Sequence, residues 1–566
     1  MLAQSNPWLY IRKGVERWIE GGFSALAPKQ KPKLRAKLEQ PPEGMGDFAL
    51  PLFEIASKLK ISPERIAETL LTENERPPGI SKMERAGGYL NFWVDSEYLT
   101  DMTLNGIINL RRDYGFSFER KKGRIILEHT SANPNGPLHV GRARNPIIGD
   151  TIARLLRANG YDVTTEYYVN DSGMQVATLV WGHLNLDIDW SESSHKKADH
   201  RYVRYYQETS RLPDSEEGIR KLLKDYEDGD PEAIREFKIH EEVLEGIIQS
   251  LEEINIKHDS FVHESKFLRS GDVAAVVEKL RPFCKSEDGS LYLEIDAENV
   301  YLTRRDGTTL YIIRDVAYHL DKFKRCDIAI NILGEDHKLE SKQLGKILDL
   351  LGKKKPLVIF YSFISLHEGK MSTRRGNIVY LDDLVDESIS RAREEVKKRR
   401  PDLDEESVER IARAIGPSAV RYNIIKVQPQ KQIEFRWEEA LSFEGDSAPF
   451  AQYAHARCSS ILRKLGEVEG FEPGSLINDS EIRVIKTLAT FPSLVEEICD
   501  FERPRVHLLT SFLYDLARGF NQFYRDCPVI KAEEPLRSSR AALVMCVKQV
   551  TENCANLLGL EMPGEM

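Results

Sequence analysis

A strand, a loop, a helix and a second strand follow one another between residues 124 and 169, and that order constrains the fold more than any other feature of the chain. Arg124-Ile125-Ile126-Leu127 is a short apolar run with β-branched residues, and residues 163–169, rich in β-branched and aromatic residues, form a second strand candidate. The stretch from Pro146 to Arg157 between them has a helical pattern. Strand, helix, strand over so short a span is a βαβ unit, which predicts a parallel sheet. The loop Gly136-Pro137-Leu138-His139-Val140-Gly141-Arg142 lies between the first strand and the helix. A loop at the carboxyl end of a buried strand, opening onto a helix N-terminus, suits an anion, because free backbone N–H groups and the helix dipole both favour negative charge. Gly141, lacking a Cβ, lets an aromatic base approach the backbone.

A second loop lies more than 200 residues further on. Gly369-Lys370-Met371-Ser372-Thr373-Arg374-Arg375-Gly376-Asn377 sets three cations among small and hydroxyl residues, as a loop closing over a triphosphate would. Strand-like runs return at 327–333 and 357–361, and Gly334-Glu335-Asp336-His337 follows the first of them. Tyr311 and Asp315 stand four residues apart, so on a helix they share one face.

In this order the two loops resemble the HIGH and KMSKS signatures of class I aminoacyl-tRNA synthetases, and the residues around them narrow the resemblance to arginyl-tRNA synthetases. The resemblance implies an α/β protein. Its parts are a Rossmann-type parallel-sheet catalytic domain, an N-terminal α+β domain and an all-α C-terminal anticodon-binding domain. It makes His139, Arg142, Lys370 and Arg374 the catalytic candidates. His139 would donate to ATP phosphate oxygens as charge builds at the α-phosphorus. Gly141, Met371, Ser372, Asp336 and His337 complete the implied ATP contacts, with Asp336 and His337 near the ribose. Glu128, Ser131, Asn133, Tyr311 and Asp315 fall at positions that bind arginine, and the chemistry agrees: a guanidinium needs carboxylates and an α-amino group needs acceptors. Two departures stand out. Arg142 replaces the usual final histidine, as in the archaeal-type variant. Thr373 replaces the usual fourth-place lysine, and no lysine at Asn135 or Gly136 compensates, which leaves Lys370, Arg374 or Arg375 to neutralise the phosphates.

Residues 443–457 match the start of the family's helical anticodon-binding domain, and Tyr453, Tyr524 and Met566 fall where its anticodon contacts sit. Tyr89 and Asn91 match positions that touch the outer corner of the tRNA. The implied partners are tRNA(Arg), L-arginine and ATP, with Mg²⁺ entering on the nucleotide and no zinc. The family usually requires bound tRNA for activation, and the same is expected here.

At 566 residues the chain is too long for one core. We expect a tRNA-core-binding domain at 1–115, the catalytic domain at 116–390 with a charged helical insertion at 186–290, a connecting helical segment at 391–440, and the anticodon-binding domain at 441–566. Seven scattered cysteines, an odd count without a CxxC pair, argue against a disulfide framework and a structural zinc site and point to a reducing cytoplasm. No membrane partner is expected, and a monomer is favoured over an oligomer. The net charge of −10 gives no global support for a nucleic-acid partner. Local basic runs at residues 29–37, 353–355 and 397–400 could meet phosphates, but such runs are more often solvated faces. The alternatives are a cysteinyl-type class I enzyme, whose zinc ligands this chain lacks, and a non-catalytic tRNA-binding paralogue. A pure binder has no use for an ATP pocket, so His139, Gly141 and Lys370 speak against the second.

Overall fold

Five parallel strands form the central sheet of the computed structural model, which describes residues 2–26, 36–73, 75–189, 195–296, 298–366, 379–467 and 470–566. In chain order they are β1 (Arg124–Glu128), β2 (Asp162–Val169), β3 (Ser260–His263), β4 (Ile328–Gly334) and β5 (Leu357–Tyr361). Across the sheet the order is β5-β4-β1-β2-β3. Residues Ile125 to Glu128 are buried on both faces, which explains an apolar run where a half-exposed strand would alternate. Helix α1 (Arg144–Ala158) crosses from β1 to β2, and α2 (Tyr311–Arg325) leads into β4. The strand order reverses between β1 and β4, opening a crevice at their carboxyl ends, where Glu128 and Asn331 are register partners.

One expectation requires correction. The stretch 186–290 is not wholly an insertion, because β3 lies inside it and pairs with β2 as the edge strand of the sheet. Ser260-Phe261-Val262-His263 is only four residues long and is set among charged helices, so its strand character does not register in periodicity. The remainder does contain helices, among them Ala198–Thr209, Glu216–Glu227 and Ile239–Glu253, followed by an antiparallel ribbon over Lys285–Tyr301.

Towards the N-terminus, helix Pro7–Leu26 packs with Pro63–Glu73 beside a three-stranded antiparallel sheet whose middle strand is Tyr89–Val94. Beyond residue 440 the long elements are helical: Ala448–Leu465, Asp479–Glu497, His507–Asp526 and Leu536–Leu558. A buried guanidinium helps to link the layers. Arg421 donates from Nη2 to Asp150 on α1 (2.6 Å), from Nη1 to the Ile254 carbonyl (2.7 Å), and from Nε to the Leu558 carbonyl (2.9 Å). All seven cysteines are free, and no helix among the described residues is long and apolar enough to cross a membrane.

Candidate active site

The His139 loop is held by backbone hydrogen bonds to the chain just beyond the second signature. Leu381 N donates to the Leu138 carbonyl (2.8 Å) and Val140 N to the Val379 carbonyl (2.9 Å), so that His139 and Tyr380 form a one-residue antiparallel bridge. Residues 367–378 lie outside the described residues, and with them Lys370, Met371, Ser372, Thr373, Arg374 and Arg375. The chain is described again from Val379, directly against the first signature. Segments far apart in sequence therefore meet beside the crevice.

His139 is exposed, and its Nδ1 accepts a hydrogen bond from Gly141 N (3.0 Å). With Nδ1 an acceptor, the neutral ring carries its proton on Nε2 and has a donor to offer. Burial and the charge of Arg142 hold the ring below its ordinary pKa. Arg142 is exposed and follows on a single 3₁₀ turn, Val140–Arg142, ahead of the N-terminus of α1. Asp336 and His337 are exposed on the turn after β4, where His337 Nδ1 lies 2.6 Å from Glu340.

Across the crevice the carboxylates gather. Glu128 ends β1, is nearly buried, and pairs with the Lys322 ammonium at 2.7 Å. Lys322 is fully buried and also donates to Asn331 Oδ1 (3.0 Å). Asn331 Nδ2 in turn donates to His319 Nε2 (2.8 Å), and His319 Nδ1 donates to the Asp315 carbonyl (2.8 Å), which fixes its tautomer. Burial and Lys322 push His319 down to about 3, so the ring is neutral. Buried Glu264 and half-exposed Glu227 both pair with Arg314, at 2.9 and 2.8 Å. Arg314 is thus committed elsewhere, and Arg304 donates to Thr308. Among the described residues no cation pairs with Asp315. Burial, then the nearby Glu128 and Glu264, push its carboxyl up to about 8. Tyr311 begins α2, is 48% exposed, and its hydroxyl lies against Gly173.

The turn after β1 is strained to make this arrangement. Thr130 (φ 71°) and Ser131 (φ 41°) both occupy the left-handed region, at about 1–3 kcal/mol each. Asn145 Oδ1 holds the turn by accepting from Thr130 N (2.5 Å) while its amide donates to the Ile332 carbonyl (2.8 Å). Ser131 Oγ donates to Glu128 (3.0 Å) and accepts from Tyr168 N (3.1 Å). Asn133 Nδ2 donates to Gln175 (2.7 Å). The sequence reading missed Lys322, His319, Asn331, Asn145 and Gln175. A signal existed for two of them: Asp315, His319 and Lys322 recur at i, i+4 and i+7 and so share a face of α2.

The candidate RNA contacts divide. Tyr453 and Tyr524 are 40% and 43% exposed, and the Arg457 guanidinium lies 4.7 and 4.6 Å from their ring centres. Asn521 accepts from Arg457 (2.7 Å), while Phe523 is fully buried. Met566 is half-buried, and its carbonyl accepts from Arg400 (2.8 Å). Tyr89 is exposed. Asn91 is not: it is buried within the middle strand of the N-terminal sheet, so the expectation that it touches RNA is corrected. The basic run 397–400 is engaged by Glu405, Glu395, Asp402 and Glu565, in keeping with a solvated, paired face.

The family model described as the catalytic domain of class I (R) tRNA synthetases matches residues 105–437, more than half of the chain. The chain belongs to the arginyl-tRNA synthetase family. An arginyl-tRNA synthetase N-terminal domain matches 13–94, and a DALR anticodon-binding domain matches 451–566. The chain is 43% identical to the arginine–tRNA ligase of Methanocella arvoryzae over 527 residues, covering 91% of this chain and 92% of that one. It is also 43% identical to that of Methanothermobacter thermautotrophicus over 571 residues, covering 98% and 100%. The solved Thermus thermophilus arginyl-tRNA synthetase superposes with a TM-score of 0.82 at 28% identity, covering 98% of this chain and all of that one.

Replacing Lys322 with Met should leave Glu128 as an uncompensated buried charge. We expect a loss of about 3–5 kcal/mol in unfolding free energy, measured by denaturant titration. A loss under about 1 kcal/mol would show that the pair does not hold the crevice together.

Proposed function

We propose that this protein ligates L-arginine to tRNA(Arg) in two steps. The arginine carboxylate attacks the α-phosphorus of ATP, giving arginyl-adenylate and pyrophosphate, and a terminal ribose hydroxyl of the tRNA then takes the arginyl group. The observation that carries this reading is Asp315, a carboxylate at the crevice without a cation partner among the described residues, with Tyr311 one helical turn before it on the same face. A substrate guanidinium supplies the missing charge. Glu128, Ser131 and Asn133 line the same end of the sheet, and His139, Gly141 and Arg142 serve ATP. We assign Lys370 and Arg374, with Met371 and Ser372, to the same triphosphate. Mg²⁺ bound to ATP would share the neutralisation of phosphate charge. No covalent enzyme intermediate is required, so positioning and charge neutralisation carry the rate. We assign Asp336 and His337 to the ribose.

The helices beyond residue 440 serve as the anticodon grip. Tyr453 and Tyr524, spaced by Arg457, offer exposed π-faces and a cation to unpaired bases, a combination that holds single strands without burying the protein's own core. Tyr89 is the remaining candidate in the N-terminal unit.

Amino-acid-dependent pyrophosphate exchange, with tRNA present, should respond to arginine alone among the amino acids. Asp315→Asn should weaken arginine binding by about 2–5 kcal/mol while leaving the KM for ATP nearly unchanged. An unaltered KM for arginine would remove Asp315 from the pocket. Tyr453→Ala and Tyr524→Ala should each cost about 1–3 kcal/mol in tRNA affinity without lowering Tm. A lowered Tm with undiminished affinity would make both tyrosines packing residues instead.

A further inference from the structure

Two clusters outside the acidic pocket bring histidine and aspartate side chains together. In the first, Asp199, His200 and Asp382 converge, but the Lys197 ammonium already stands 2.9 Å from Asp382 and 3.7 Å from Asp199. That cluster has its cation. The second, formed by Asp171, His240 and His263, does not.

Asp171 lies just past β2, His263 ends β3, and His240 is in the first turn of helix Ile239–Glu253. Asp171 and His240 are 2% and 5% exposed. His240 Nδ1 lies 2.5 Å from the Phe237 carbonyl and can only donate there, so in the neutral ring Nε2 bears a lone pair. That Nε2 is buried, has no hydrogen-bond partner, and points towards Asp171 Oδ2 at 3.9 Å. His263 Nδ1 stands 3.3 Å from the same oxygen. Asp171 is oriented by Ser265, whose N donates to Oδ1 (2.9 Å) and whose Oγ donates to Oδ2 (2.6 Å). Tyr226 OH adds a longer contact to Oδ2 at 3.4 Å.

A lone pair facing a carboxylate is repulsive unless a proton or a cation lies between them. The surroundings have the form of a metal site: one imidazole is oriented by a backbone carbonyl, and the carboxylate is fixed by a hydroxyl and an N–H. Two imidazoles and one carboxylate suit zinc or a similar first-row ion. The lack of a CxxC pair excludes only a thiolate site. We propose that Asp171, His240 and His263 bind one divalent transition-metal ion, with Zn²⁺ the best match. The ion would pin the edge of the sheet to the helices inserted before it. Asp171 is followed by Ser172 and His263 by Glu264, and both neighbours hold Arg314, so the ion would steady one wall of the substrate crevice.

The test uses the full-length protein, stripped of metal by chelator and dialysed. Titration with Zn²⁺, and with Co²⁺ followed by its visible absorption, should show one ion per chain with a Kd below about 1 μM and a tetrahedral Co²⁺ spectrum. His240→Leu and His263→Ala should each weaken binding at least tenfold. His263 is at the rim, so its variant should keep the metal-free Tm of the wild type and lose the rise in Tm that Zn²⁺ gives. Absence of binding at micromolar Zn²⁺ would overturn the proposal and leave a proton as the partner of His240. Binding unchanged in both variants would overturn it too, by placing the ion elsewhere.

Discussion

The carboxylates around the crevice do not all have partners, and the site is organised around that shortfall. Glu128 has Lys322, Glu264 and Glu227 share Arg314, and Glu166 has Arg325 at 2.7 Å. Among the described residues Asp315 stands without a cation partner, and its carboxyl is pushed up to about 8 by burial and by Glu128 and Glu264. A fold that neutralises each neighbour internally keeps those cations from filling the vacant place. We propose that selectivity rests on the same arrangement. A ligand without a positive side chain leaves Asp315 either protonated or unpaired, whereas a guanidinium satisfies it through two parallel hydrogen bonds.

Around this electrostatic centre the backbone brings the other chemistry into range. Pairing of Leu138–Val140 with Val379–Leu381 sets the His139 loop against the chain that emerges from the second signature. The strained Thr130–Ser131 turn directs Ser131 onto Glu128. Arg144, fully buried, donates to the carbonyls of Ser362 and Gln428, both at 2.7 Å, and so fastens the start of α1 to the chain beyond β5. Burial lowers its pKa to about 10, which still leaves it charged at neutral pH.

Much of this was legible in the sequence, for reasons that differ by element. β1, β4 and β5 showed themselves as largely apolar runs because parallel strands are covered on their faces, β2 as a run of β-branched and aromatic residues, and the loop after β1 stood out by its glycines and histidine. β3 was not legible, since four residues with two polar members carry no period. Lys322 was harder to read, because a lysine followed by Lys324 and Arg325 looks like a solvated helix end, and only the tertiary fold turns it inward. Its helical spacing from Asp315 and His319 was one hint, and Asn331 inside an otherwise apolar strand was another. Asn91 differs again: the resemblance alone placed it at the tRNA, and its position in a middle strand buries it.

If Asp315 awaits the charge of the substrate, arginine binding must release a proton. In the free protein the carboxyl, near 8, is mostly protonated at pH 7. A bound guanidinium favours the ionised form, so binding lowers the pKa and expels the proton. Arginine affinity should therefore rise by up to about tenfold per pH unit below 8 and level off above it. Calorimetry of arginine binding at pH 7, in two buffers of different ionisation enthalpy, should report close to one proton released, and none in Asp315→Asn. Proton uptake, or no exchange in the wild type, would show that the substrate does not meet Asp315.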